Sequence, residues 1–286
     1  MEGFYSIWTK PYMMMHPGEK FKMRDFELLT FILSAMKWQE LNGNVTIYAD
    51  EEACRYLEDT RGISLFKGGV KRLIVDEDID PACYWAAGKL YAIRAIDRPY
   101  AMIDLDLIVW KCLSGECDKN GIKVIHREPL RPEIYPDYRN FAMREGYSYP
   151  YEFDDNVLPA NTALLMLGNV EFAHEYANTA IEFMRNTISA EDNLCRMVFA
   201  EQRLIAIAAE HMNITIDSFY DYAENIGMQD MFTHLWGHKN ILKYNYDERL
   251  KYCRGIMKML KEEFPQAFDI VSGLPEMREY ILENWK

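Results

Sequence analysis

Two aspartates one residue apart, Asp104 and Asp106 in Ile103-Asp104-Leu105-Asp106-Leu107, follow the short apolar run Tyr100–Ile103. If that run is a strand that continues through them, residues two apart project from one face and Leu105 from the other. Two carboxylates then stand together at the carboxyl end of a strand, where open α/β sheets place their ligands. Like charges that close repel, and a hard divalent cation, Mn²⁺ or Mg²⁺, is a common remedy. Two solvated acids at a strand end would produce the same triplet, so its meaning depends on what else the chain brings to it.

His234, in Thr233-His234-Leu235-Trp236-Gly237-His238-Lys239, is the first such group. A neutral imidazole suits Mn²⁺ beside two carboxylates. Gly237 would let backbone approach a phosphate and Lys239 would add positive charge. The plainer alternative is a loop histidine bonded to a carbonyl. His234 and His238 have the spacing of a zinc-protease helix pair, but the intervening Glu is missing and Gly237 weakens a helix, which excludes that class. Asn161, at a turn before an apolar run, has an amide suited to sugar hydroxyls or simply to turn chemistry. Glu201-Gln202 lies in a helical stretch, where Gln202 can orient a sugar or the pair can be ordinary helix filler. Lys10, Asp50 and Lys89 sit near the ends of early elements. Asp50 is placed to meet a ribose or base, and Lys89 to approach phosphates or to snorkel to solvent.

The elements that must position these residues alternate. Phe4–Trp8 reads as a strand, and a polar, Met-rich link follows it. Phe26–Leu41 has helical spacing, Val45–Tyr48 is a strand, and Glu51–Glu58 is a helix with acids in its first turn. Val70–Val75 is a strand, Tyr84–Ile96 a helix and Tyr100–Ile103 a strand. Such alternation predicts an α/β fold with a mostly parallel sheet covered on both faces. Residues 118–157 carry four prolines and many tyrosines with little periodicity, as a long loop or an inserted hairpin would. Asn161–Leu167 is a further strand, with helices expected over Val170–Thr187, Ala190–His211, Ile216–Ile226 and Asp247–Glu263, and near the C-terminus. With no repeat or linker, one domain over 1–286 is expected. Its parts are 1–110 ending in the aspartate pair, 111–240, and C-terminal helices from 241 to 286.

The 286 residues include 49% apolar and 27% charged side chains, enough for a sizeable core. The formal charge of -13, from 45 acidic against 32 basic residues, opposes nucleic acid and anionic membrane as partners. An anionic diphosphate ligand would therefore need local positive charge, which a bound cation supplies. The six scattered cysteines complete no zinc-ribbon spacing and are expected to be reduced. No secretory signal or membrane-spanning run is present, and a cytoplasmic location is expected. There is no P-loop, Gly-x-Gly-x-x-Gly or Gly-x-Ser-x-Gly.

Taken in order, these segments resemble the landmarks of GT-A glycosyltransferases, in particular the glycogenin and bacterial galactosyltransferase-like family. Ile103–Trp110 matches its Asp-x-Asp region. Asn161-Thr162-Ala163 is similar to its Asn-Ala-Gly segment but lacks the glycine. Glu201-Gln202 resembles its Asp-Gln pair, and His234 to Lys239 its His-x-x-Gly-x-x-Lys-Pro-Trp segment, one residue short and without Pro-Trp. Ser6-Ile7-Trp8-Thr9-Lys10 is also similar to the opening strand of uncharacterised bacterial proteins. The likeness spans about residues 4–240.

The resemblance implies a GT-A, Rossmann-like fold and a metal-dependent sugar transfer from a nucleotide-sugar, a UDP-sugar foremost, to an acceptor it does not name. Asp106 and His234 would bind the metal, Asp104 would bridge metal and ribose, and Lys239 would reach the diphosphate. Asn161 and Gln202 would hold the sugar, and Lys10, Asp50, Lys89 and Gly237, by their own positions in the chain, are expected on the donor side. Two alternatives stand beside it: a non-catalytic nucleotide-sugar-binding protein on the same scaffold, and a nucleotidyltransferase, which would normally carry a Gly-rich loop, absent after Trp8.

Overall fold

The computed structural model describes residues 1–152, 154–188, 193–221 and 229–282. The first half alternates as expected: β1 (Glu2–Ile7), α1 (Lys10–Met15), α2 (Asp25–Leu41), β2 (Val45–Ala49), α3 (Glu51–Asp59), β3 (Val70–Arg72), α4 (Ala87–Arg94) and β4 (Tyr100–Ile103). The stretch expected to be a link contains α1, which has Pro11 in its first turn, where a missing N–H costs nothing. After β4 come β5 (Leu107–Val109), β6 (Ile122–Val124), β7 (Leu164–Leu167), α5 (Val170–Asn186), α6 (Leu194–Val198), a π-helical turn (Phe199–Arg203) and α7 (Leu204–His211). The chain then forms β8 (Ile216–Ser218), β9 (Phe232–His234), α8 (Lys239–Tyr244), α9 (Tyr246–Glu263) and α10 (Pro265–Ser272).

The main sheet has seven strands in the order β3-β2-β1-β4-β7-β6-β8. β1 pairs in parallel with β2 and β4, β2 with β3, and β6 with β8, while β7 is antiparallel to both its neighbours. The fold is therefore α/β with a mostly parallel sheet, as the alternation predicts. Alternate residues of β1 serve opposite faces: Phe4 joins the core containing α4, α5 and α7, and Tyr5 the core containing α2 and α9. α2 is buried nearly all round, and its polar atoms find partners inside. Thr30 Oγ1 donates to the Phe26 carbonyl at 2.6 Å and lies 2.8 Å from Tyr252 Oη, and Ser34 Oγ lies 2.6 Å from Tyr5 Oη.

Three expectations need correction. Ile216–Ser218 is a strand and not the start of a helix; the rest of that expected helix lies largely outside the described residues, at 222–228. Asn213, with φ +54°, follows α7 in the left-handed conformation that ends helices, and β-branched Ile214-Thr215-Ile216 then favours an extended chain. The helix expected over Ala190–His211 begins, within the described residues, at Leu194 and is interrupted by the π-helical turn. Inside 118–157, β6 is a strand that periodicity does not reveal, because three residues are too few for a pattern and only pairing to β7 and β8 defines it.

Among the described residues no helix is long and apolar enough to cross a membrane. All six cysteines are free, as expected, with Cys83 and Cys253 buried and Cys112 exposed. Burial pushes the Cys253 thiol up to about 12, leaving almost no thiolate at neutral pH. In the native protein iodoacetamide should therefore label Cys112 first. Cys83 and Cys253 should react only after denaturation, which peptide mass spectrometry of time points will show. Native labelling of Cys253 at the rate of Cys112 would contradict this packing.

Candidate functional site

A cleft of about 810 Å³ opens at the carboxyl ends of β1 and β4. The chain leaves β4 at Ile103, and Asp104 begins a turn closed by the Leu107 N–H donating to the Asp104 carbonyl at 3.0 Å. The two carboxylates thus converge through a turn and not, as expected, through strand alternation. The turn leads into β5, which pairs antiparallel with β9 and sets Leu107 opposite His234. Leu235 N–H donates to the Asp106 carbonyl at 3.0 Å, so the distant His234 segment is tied directly to the aspartates. His234 lies at the end of a strand, where the sequence suggests a loop.

Ligand atoms of Asp104, Asp106 and His234 all lie within 4.8 Å of one another. Metal bonds of ~2.1 Å set opposite ligands about 4.2 Å apart, so a small side-chain rotation closes this set around one divalent ion. Two carboxylates and an imidazole are a donor set for a divalent cation, so the group can hold a metal.

Charge in the cleft is tightly paired. His234 Nε2 lies 3.5 Å and Lys239 Nζ 2.8 Å from Asp106 Oδ2. Burial would raise the Asp106 carboxyl, but these two partners outweigh it and hold it well below the usual carboxylate range. Lys89 Nζ lies 2.5 Å from Asp104 Oδ1 and 2.7 Å from Glu201 Oε1. Burial would lower the Lys89 ammonium, yet the two acids raise it, so it stays charged. Asp104 is raised, because burial and the neighbouring Glu201 and Asp106 outweigh Lys89. Three carboxylates share two ammonium groups here, a deficit that a bound cation would relieve. Lys239 is 41% exposed on its side chain and can swing away from Asp106; Lys89, at 19%, is held in place.

The other expected site residues divide. Gly237 lines the cleft beside Lys239, and a Cβ there would meet nothing within 4 Å, so no close approach within the protein demands glycine. Gln202 also lines it, with Oε1 accepting from Tyr135 Oη at 2.5 Å. Asn161 lines it too, but both ends of its amide are engaged: Oδ1 accepts from Ala163 N–H at 3.2 Å and Nδ2 donates to Glu128 Oε1 at 2.9 Å. Asp50 is outside the cleft lining, against expectation. Its carboxylate caps α3 through Ala53 N–H at 2.9 Å and accepts from Thr9 N–H and Oγ1 at 2.6 and 2.8 Å, the use an acid at a strand-to-helix junction serves best. Lys10 is exposed on α1, also outside the lining.

Two acids matter more than the sequence suggests. Glu201 is buried on the π-helical turn, bound by Lys89 and by Thr162 Oγ1 at 3.1 Å, where a helix filler was the plain reading. Its apolar surroundings, Met197 to Ala200 and Leu204-Ile205, are the signal that a charge there must be buried with a partner. Glu128 lines the cleft from the aperiodic segment, where no pattern points to it.

Fold and cleft together define an α/β protein with an acid-and-histidine cluster at the end of a central strand. The chain belongs to the family of unknown function DUF6734, whose profile matches residues 1–274. No curated protein sequence matches it. Solved structures similar to it include glycosyltransferases. The galactosyltransferase LgtC with donor and acceptor sugar analogues is 13% identical at a TM-score of 0.38, over 70% of each chain. Mouse xyloside xylosyltransferase 1 is 8% identical at 0.40, over 77% of this chain and 85% of that one. The glycosyltransferase GlyE of Streptococcus pneumoniae is 10% identical at 0.36, over 77% of this chain and 45% of that one. At these values no residue role passes from them to this chain.

Replacing Lys89 by Met should leave Asp104 and Glu201 facing each other without their ammonium and destabilise the fold by about 3 kcal/mol at pH 7. A carboxyl raised in the folded state favours folding at low pH and opposes it as pH rises through the folded value. The deficit of Lys89→Met in urea unfolding should therefore shrink from pH 7 to pH 5. A deficit independent of pH would assign the loss to packing instead of charge.

Proposed function

We propose that this protein transfers a sugar from a nucleoside-diphosphate sugar, foremost a UDP-sugar, to a hydroxyl acceptor, with Mn²⁺ or Mg²⁺ as cofactor. The observation that carries the reading is the convergence of Asp104, Asp106 and His234 at the end of a central strand, inside a cleft large enough for a nucleotide-sugar. Asp104, Asp106 and His234 hold the ion, which when bound neutralises charge on the leaving diphosphate. Lys239 moves from Asp106 to the diphosphate, and Gly237 leaves room for it. Lys89 fixes Asp104 and Glu201 in place, and Gln202, oriented by Tyr135, faces the sugar. Because Asn161 is engaged at both ends of its amide, its part is to shape the cleft wall.

Calorimetry with UDP in Mn²⁺ tests the metal group. Wild type should bind, and Asp106→Asn, nearly isosteric but uncharged, should lose the Mn²⁺-dependent part of the affinity while keeping its fold. His234→Ala should weaken Mn²⁺ dependence at least tenfold, about 1.4 kcal/mol. His238→Ala, disturbing the same segment, should change it little. Equal effects of the two histidine variants would remove His234 from the metal group. UDP binding without release of UDP from any UDP-sugar would favour the non-catalytic reading.

A further inference from the structure

The cleft carries four carboxylates, of Asp104, Asp106, Glu128 and Glu201. Asp104 and Glu201 share Lys89, and Asp106 has Lys239 and His234. A carboxylate held by an ammonium is a weak base, because taking a proton forfeits the ion pair. Glu128 differs: its charge partner among the described residues is a histidine, with His126 Nε2 at 3.6 Å from Oε1. We infer that Glu128 is the catalytic base that takes the proton of the acceptor hydroxyl, with His126 as the positioning residue behind it. The inference rests on the transferase reading and supplies the base that reading lacks.

Hydrogen bonds fix Glu128 in the wall of the cleft. Its N–H donates to the Pro159 carbonyl at 2.9 Å, and Asn161 N–H donates to the His126 carbonyl at 3.0 Å, so the two segments are laced together. Asn161 Oδ1 must face the Ala163 N–H, which turns Nδ2 onto Glu128 Oε1 and fixes the carboxylate. The next residue, Thr162, reaches Glu201, and Glu201 reaches Lys89 and Asp104. A continuous line of contacts thus joins Glu128 to the metal group without placing it there.

His126 is 2% exposed. Its Nδ1 lies 2.9 Å from the Arg127 carbonyl, which only accepts, so Nδ1 carries a proton. The ring is thus held from behind by the backbone, with Nε2 turned toward Glu128 Oε1 at 3.6 Å. Lysine in that place would have locked the carboxylate in its charged form. In the transfer, the hydroxyl proton passes to Glu128 as the oxygen bonds to the anomeric carbon. The bond from that carbon to the diphosphate oxygen breaks, and its electron pair leaves with the nucleoside diphosphate.

The whole chain with Mn²⁺ and a panel of UDP-sugars tests this, reading UDP affinity by calorimetry and UDP release with water or added sugars as acceptor. Glu128→Gln should bind UDP like wild type and release it at least ~100-fold more slowly. Sodium formate, a carboxylate supplied from solution, should accelerate Glu128→Ala and leave wild type unchanged, which a purely structural role would not produce. Should Glu128→Gln not fold, Glu128→Asp carries the test, with its carboxylate drawn back by one methylene, unchanged UDP affinity and slower release. Release at the wild-type rate by a Glu128 variant that binds UDP overturns the inference and leaves the transferase reading standing. A wild type that fails to bind UDP, or binds it and releases none from any UDP-sugar, overturns both.

Discussion

Among the described residues, Lys89 is the cation that joins the two sides of the cleft. Its ammonium contacts Asp104, at the end of β4, and Glu201, on the π-helical turn between α6 and α7. Both acids are largely out of water, and without the lysine each would carry a desolvated charge against the other. The helix holding Lys89 is anchored close to β1, since a Cβ on Gly88 would lie 2.8 Å from both Ser6 Oγ and Trp8 Cβ. Placing Lys89 therefore depends on a glycine that lets α4 lie against the first strand. The π-helical turn is the matching device on the other side. It widens the helix by one residue, directs Glu201 inward and leaves Gln202 beside Tyr135. Its backbone is held by Tyr176 Oη donating to the Glu201 carbonyl at 2.6 Å.

The second constraint is the small β5–β9 sheet. It lies outside the seven-stranded sheet, yet it brings His234 and Lys239 to the aspartates. Trp110 Nε1 donates to Thr233 Oγ1 at 2.8 Å, and Trp110 N–H to the Met231 carbonyl at 2.8 Å, extending the ladder past its formal end. Charge pairing then completes the cluster, with Lys239 at the first turn of α8 reaching back to Asp106. The group of Asp104, Asp106 and His234 is thus assembled by one strand end, one turn and one edge pairing, and each is rigid because the core behind it is close-packed.

Much of this was legible in the chain. The alternation of short apolar runs with helical spacing determined an α/β fold, because a parallel sheet needs helical crossovers and fully buried strands. Asp104-Leu105-Asp106 after Tyr100–Ile103 determined that two carboxylates meet at the end of a strand. His234, Gly237 and Lys239 share a short segment whose chemistry suits an anion and a metal, and all three line the cleft. Other residues were ambiguous for a physical reason: an acid beside a helix start can cap it or bind a ligand, and Asp50 caps. An asparagine at a turn can bond its own backbone, and Asn161 does so through Ala163.

Only the tertiary structure decided which charges are partners. Lys89 lies 112 residues from Glu201 along the chain, and no local pattern encodes the contact that joins it to both Glu201 and Asp104. Glu128 and His126 sit in a segment without periodicity, since its conformation is set by hydrogen bonds to Pro159 and Asn161 and not by a regular ladder. β6 and β8 are three residues each and exist as strands because a neighbour is there to pair with. Local spacing determines which face a side chain occupies. Which charge it meets there depends on long-range packing, and in this cleft that pairing gives Asp104, Asp106 and Glu201 a lysine and Glu128, among the described residues, a histidine.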